Sequence, residues 1–225
     1  MSRRLTCFDP AARVWLAKCL LIIGSMCLPT HAWSGDAGGF RNWVTLRDAG
    51  VVRQARDFSC GVAALATYLT YYLQHPVSEG ELLALLDQYG DDWALPDDWR
   101  EQGVSYAVLL RLAQHHGLRG AGMAVTPELL RSLRVPAIVR LDVHGVAHFS
   151  VLRGIDDSGR VQLADPSWGN HRMNLDAFLG FWADPGHDGG GGTLMLFQPI
   201  AGSHLQPDAS WFGVDQRMPL LHPPA

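Results

Sequence analysis

The chain has 225 residues, 48% of them apolar, with 22 acidic against 18 basic side chains and a formal charge of −4. That sign is wrong for gripping nucleic acid or an anionic membrane surface. Lys18 is the only lysine, so beyond it there is no Schiff-base amine and no phosphate-loop lysine, which argues against an ATP site in this chain.

At the start, Arg3, Arg4, Arg13 and Lys18 precede an apolar run from Cys19 to Leu28, followed by Pro29-Thr30-His31-Ala32. A charged beginning, a short apolar run and small residues near its end read as a secretory signal peptide over 1–32, cut near Ala32, and predict a periplasmic protein. The run is about half of the ~20 residues a membrane-spanning helix needs. Met26 stands where lipidation of Cys27 requires a small residue, so membrane attachment is expected only with a retained or lipidated signal. Cleavage removes Cys7, Cys19 and Cys27 along with four basic residues and Asp9, leaving Cys60 as the single cysteine and a formal charge of −7. Residues 33–43 read as a flexible N-terminal segment, 44–200 as one compact domain and 201–225 as an irregular tail.

Gly61 to Gln74 carries Val62, Leu65, Ala66, Leu69 and Leu73 at helical spacing, which predicts a helix with Cys60 at its N-terminal end. Ser78-Glu-Gly-Glu81 is a capping-box pattern ahead of Leu82, Leu83, Leu85 and Leu86. Further helices are expected over Ser105–His116 and from Thr126-Pro127 to Leu133, the latter with proline in its first turn. The pattern then turns to strands at Ala137–Val143, Ala147–Gly154, Val161–Ala164 and Thr193–Gln198, with a short helix over Asn174–Trp182. Helices segregated ahead of an antiparallel sheet indicate an α+β fold.

Cys60 is the candidate nucleophile. At a helix N-terminus, unpaired amides and the positive end of the dipole favour thiolate over thiol, and a free thiol in an exported protein needs a reason to survive. His148, in a strand-like run, is the candidate base, since an imidazole can take a thiol proton at neutral pH. Asp165, at the end of the next strand, is the candidate that fixes the ring's tautomer. Gln54, six residues before Cys60, is the candidate oxyanion donor. Taken singly, these residues have ordinary structural readings: an inert core thiol, a core histidine, an Asp-Pro turn. His115-His116 has no paired ligand spacing, and no cofactor or metal is called for. Trp168, three beyond Asp165, is a candidate shield of the pair from water.

The order Gln, Cys, His, Asp is the one used by papain-like thiol hydrolases. From about Val51 to Phe197 the chain resembles the C39 family of cysteine peptidases. The resemblance is carried by Gln54 with Cys60-Gly61, Val135-Pro136-Ala137-Ile138-Val139, His148-Phe149, Val151-Leu152-Arg153-Gly154, Leu163-Ala164-Asp165-Pro166 and Gly169-Asn170. It is similar in particular to the secreted single-domain members found beside fimbrial or functional-amyloid secretion systems. The resemblance implies a papain-like fold, with Cys60 as nucleophile, His148 as base, Asp165 as orienting acid and Gln54 in the oxyanion hole. It also implies a peptide or protein substrate, a secretion, fimbrial or amyloid component, cut after small residues of the Gly-Gly type. Trp168 and Phe149 are then expected as walls of a narrow channel. Two other readings are an amide or acyl transferase of the same thiol chemistry and a non-hydrolytic docking module for a secretion substrate. The chain departs from many members at Ser59, where they carry Asp; Asp57 stands three before the cysteine.

Overall fold

In the computed structural model, Asn42 caps the first helix, α1 (Trp43–Asp48), by accepting from Thr45 N at 2.8 Å. The structure describes residues 42–184, Gly186 and 190–218. The expected signal peptide, with Cys7, Cys19 and Cys27, and the beginning of the N-terminal segment lie outside the described residues, as does the end of the tail.

The nucleophile helix starts where its pattern predicts, as α2 (Cys60–Thr67), but relaxes into a π-helical turn over Tyr68–Tyr72. Thr67 is part of this region's anchoring: its hydroxyl donates to Ala63 O at 2.8 Å and accepts from Val52 N at 2.9 Å. The helical path stops at Gln74, which takes a left-handed φ of 52°. Next comes α3 (Glu79–Tyr89), with both halves of the Ser78/Glu81 capping box formed. A short α4 (Trp99–Gln102) follows, then α5 (Tyr106–His115), capped by Ser105. After β1 (Leu118–Val125), α6 (Pro127–Ser132) is capped by Thr126 and has proline in its first turn. The remaining elements are β2 (Ala137–Val143), β3 (Val146–Ile155), β4 (Arg160–Asp165), β5 (Gly169–Asn174), α7 (Leu175–Trp182) and β6 (Gly192–Pro199).

The six strands form one sheet in the order β1-β6-β2-β3-β4-β5, with antiparallel pairing throughout. The α+β class expected from the sequence is therefore observed, in an open sheet. Two strands were not legible beforehand, β1 and β5, and β1 falls between helices rather than after them.

Central strands bury both faces, and successive residues serve different cores. Ile138, Phe149 and Val151 pack with Leu65, Leu69 and Leu109 of the helical layer on one side. Val139, Leu141 and Leu152 pack with Phe178 and Trp182 of α7 on the other. Burial of each such side chain is worth roughly 1.5–3 kcal/mol, so the sheet is held between two apolar layers, and the interior strands β3 and β4, which carry His148 and Asp165, are rigidly held.

Residues 200–218 hold little regular structure beyond a 3₁₀ turn at Ala209–Trp211, yet they pack on the domain. Gln206 N donates to Leu73 O at 3.2 Å and Asp208 N to Tyr72 O at 2.6 Å. Helix-terminal carbonyls are thus satisfied by a distant segment. Leu205, Trp211 and Met218 are buried, and Arg153 donates to Trp211 O while its guanidinium lies over the Trp211 ring.

Candidate active site

Cys60 opens α2, and the strand that faces it is aligned by a tight hairpin. Val143 pairs with Val146 across His144-Gly145, whose φ values of 56° and 85° match a two-residue turn of the twist-compatible type. That turn sets the register along β3 and so the position of His148, opposite Leu141. Gly61 allows the helix to meet the strand: a Cβ there would sit 3.0 Å from the Phe149 ring and 3.0 Å from Val104 Cγ2.

Asp165 closes β4 and is fully buried. Its Oδ1 accepts from Ser167 N at 2.8 Å and Trp168 N at 2.9 Å, and its Oδ2 lies 2.8 Å from His148 Nε2. The turn that makes this possible ends at Gly169, whose φ of +82° suits glycine. With Nε2 committed to the carboxylate, the hydrogen bond that His148 shares with Cys60 must use Nδ1. Three residues named from sequence are thus brought together: Cys60, His148 and Asp165.

The charges follow from these contacts. Burial works to raise the Cys60 thiol pKa, but it is outweighed by the hydrogen bond to His148, by backbone bonds to Phe149 and Gly61 and by the charge of His148, so the thiol lies below its ordinary value. Burial would lower His148, yet the Asp165 carboxylate and the Cys60 sulfur hold it up at about 10. Asp165 is pushed up by burial and brought below the usual carboxylate range by His148 and the other groups around it. Between the two limits, thiolate and imidazolium coexist.

Gln54 reaches the same region from the other direction. Its backbone N donates to Pro166 O at 3.1 Å, its Oε1 accepts from Ser167 Oγ at 2.6 Å and its Nε2 donates to Arg56 O at 2.8 Å. The side chain therefore ties the loop before Cys60 to the turn after Asp165. Trp168 is 42% exposed, with its ring centroid 5.8 Å from that of His148. Phe149 differs from expectation: it is buried against Tyr106 at 5.1 Å and beneath Gly61, so it is core and not a channel wall. One side chain near the nucleophile, the buried Glu79, was seen in the sequence only as part of a helix cap. Its contact with Ser59 spans 20 positions and leaves no local signal. Among the described residues no group of three or more His, Cys, Asp or Glu side chains is arranged to hold a metal ion.

The family model that matches is that of the Peptidase C39 family, over residues 48–185, a span that contains Gln54, Cys60, His148 and Asp165. The chain belongs to the peptidase C39 family. It is a cysteine peptidase by that membership, and its relatives agree. Over 176 residues it is 31% identical to a Pseudomonas fluorescens protein called probable functional amyloid protease FapD, covering 76% of each chain. Over 161 residues it is 32% identical to the Pseudomonas aeruginosa protein of the same name, covering 68% of this chain and 69% of that one. The fold of this C39 peptidase is shared with the peptidase domain of Streptococcus ComA, a bifunctional ABC transporter of a quorum-sensing pathway. That match has a TM-score of 0.52 at 19% identity, over 66% of this chain and 97% of the other.

Proposed function

We propose that this C39 peptidase is an endopeptidase that cuts an exported protein after a pair of small residues, Gly-Gly or Gly-Ala, in an extended segment. Its proposed setting is the periplasm, and its proposed substrate a component of fimbrial or functional-amyloid secretion. The observation that carries the chemistry is the His148 ring held between Asp165 Oδ2 at 2.8 Å and Cys60. The two FapD proteases support the amyloid context, and the charged start with its short apolar run supports export.

In this reading Cys60 Sγ attacks the scissile carbonyl carbon, and the electron pair moves onto the carbonyl oxygen. The Gln54 amide, turning from Arg56 O, donates to that oxygen. His148 Nδ1–H passes its proton to the departing amine as the C–N bond breaks, leaving an acyl-enzyme. Water, deprotonated by the now neutral Nδ1, releases the acid and restores the thiolate–imidazolium pair. Asp165 keeps Nε2–H in place throughout. Trp168 supports the preference for small residues, since a bulky ring beside the imidazole narrows the approach, and rejection by overlap needs no attractive contact.

The test is a peptide series varied at the two positions before the bond, with Cys60→Ala and His148→Ala as controls. Cleavage after Gly-Gly that collapses when the residue before the bond becomes Leu, and that both controls abolish, is the expected result. Equal cleavage after Leu and Gly removes the specificity while leaving the thiol chemistry. Substantial hydrolysis by either folded control removes the assigned roles. N-terminal sequencing of the exported protein should begin near Trp33, and an intact Met1 or an acylated Cys27 would overturn the soluble periplasmic form.

A further inference from the structure

Ser59 occupies the N-cap of the nucleophile helix but makes no side-chain cap bond. A serine there ordinarily accepts from the N–H of the second or third helical residue, here Gly61 or Val62. Its hydroxyl instead turns away, to Arg56 O at 2.7 Å and to the Glu79 carboxylate. The first amides of the helix, beside the Cys60 sulfur, therefore take no bond from the Ser59 side chain.

Ser59 has φ −98° and ψ 10° rather than the extended backbone of a capping serine, and its hydroxyl meets Glu79, the first residue of α3. Capping of that helix is carried out by Ser78 and Glu81, so the helix end does not need the Glu79 carboxylate. The residue is buried, 7% exposed, and a buried carboxylate is costly unless its hydrogen bonds are supplied. They come from the loop that delivers the nucleophile. Ala55 N donates to Oε1 at 3.1 Å and to Oε2 at 3.0 Å, and Ser59 Oγ donates to Oε1. The same loop carries the carbonyl of Arg56, which accepts from Ser59 N at 3.3 Å and from Gln54 Nε2 at 2.8 Å. Release of the carboxylate would therefore free the residue before Cys60 and the anchor of Gln54 together.

We propose that Glu79 is a positioning residue for the nucleophile: its carboxylate clamps Ala55 and Ser59, the two ends of the loop that delivers Cys60, and so holds the start of the helix and Cys60 aligned for attack. The inference rests on the peptidase reading of the site.

The test uses the full chain carrying Glu79→Ala, Glu79→Gln or Ser59→Ala. Iodoacetamide labelling of the peptide that contains Cys60 is followed by mass spectrometry across pH, together with kcat and KM on a cleaved peptide and a melting curve. In Glu79→Ala, kcat should fall about tenfold or more, as small displacements of reacting groups do, with KM little changed. Its Cys60 labelling midpoint should move up toward that of an ordinary thiol. Glu79→Gln keeps an acceptor for Ala55 and a partner for Ser59 and should recover most of both readouts. Ser59→Ala should fall between wild type and Glu79→Ala. If Glu79→Ala does not fold, the Gln and Ser59 variants carry the comparison. Wild-type kcat and labelling in Glu79→Ala overturn the inference, as does a Glu79→Gln variant that folds but is as impaired as Glu79→Ala. An ordinary thiol titration in the wild type overturns the peptidase reading and the inference with it; a perturbed titration that persists unchanged in Glu79→Ala overturns the inference alone.

Discussion

His148 Nε2 lies 2.8 Å from Asp165 Oδ2, and this contact decides which ring nitrogen faces the sulfur. Asp165 Oδ1 is already occupied by the Ser167 and Trp168 amides. An asparagine at 165 has one acceptor oxygen where the site uses two. If that oxygen serves the amides, the NH₂ group faces Nε2 and forces the wrong tautomer. From sequence alone an effect milder than loss of His148 is expected, because an amide can still orient the ring. The geometry argues for a larger one: Asp165→Asn should lower kcat by on the order of 10²–10⁴, as expected when a triad carboxylate is replaced. Steady-state kinetics on the folded variant decide it, and a loss below about tenfold would mean the tautomer is held by something else.

The pH profile follows from the two opposed shifts. Activity should rise as Cys60 loses its proton, at a pH below that of an ordinary thiol, and fall as His148 loses its own near pH 10. Loss on the basic side reflects loss of the imidazolium that protonates the leaving amine. In His148→Ala, burial acts on the sulfur without its main opposing partner, so the labelling midpoint of Cys60 should move upward. Alkylation rates across pH measure this directly, and an unmoved midpoint would separate the histidine from the thiol.

Gln54 combines two duties, and they are separable. Gln54→Ala should leave the labelling of Cys60 close to wild type yet reduce turnover by about 10²–10³, the loss expected for one oxyanion donor. Turnover near wild type would leave Gln54 as a tie between Arg56 O and Ser167 Oγ and nothing more.

Gly61→Ala tests the fit between the nucleophile helix and β3. The new methyl would press on the Phe149 ring and Val104 at 3.0 Å, and overpacking of this kind costs about 1–3 kcal/mol. Because the helix that must move carries Cys60, activity should drop further than the fraction of folded protein does. Denaturant unfolding beside kinetics tests the difference.

A histidine chain joins the helical layer to the C-terminal segment. His204 Nε2 lies 3.1 Å from His75 Nδ1, and His75 Nε2 lies 3.2 Å from His116 Nδ1. Burial first, then the neighbouring histidines, lowers His116 to about 4 and also lowers His75, with Glu81 pulling the other way. The unfolded chain takes up protons at His116 near pH 6.5 whereas the folded chain resists until about 4. The neutral His116 therefore favours the fold fully above about pH 6.5, and stability should be lost as pH falls through that window. Melting temperatures from pH 7 to 4 should decline less steeply in His116→Asn than in the wild type.

Much of the chain was legible because its signals are local. The helical spacing after Cys60, the caps at Ser78, Ser105 and Thr126, and the apolar run of β2 each depend on residues a few positions apart, and each produced the expected element. The order Gln54, Cys60, His148, Asp165 was likewise readable, and the fold gathers the last three. Strand β1, Leu118-Arg-Gly-Ala-Gly-Met-Ala-Val125, has no alternation; it is a strand because β6 pairs with it along its whole length. Gly120 is small there because a Cβ would meet the Phe197 ring at 2.6 Å, a demand imposed from 77 residues away. Strand β5 is polar in sequence yet buries Asn170 and His171 against neighbours that only the assembled sheet supplies. Phe149 could be placed next to His148, but whether it lined the cleft or the core depended on how closely α2 approached β3. The clamp between Glu79 and Ser59 joins the start of one helix to the start of another. Propensity and periodicity act over a few residues, whereas a buried hydrogen bond is specified only when the whole chain has packed around it.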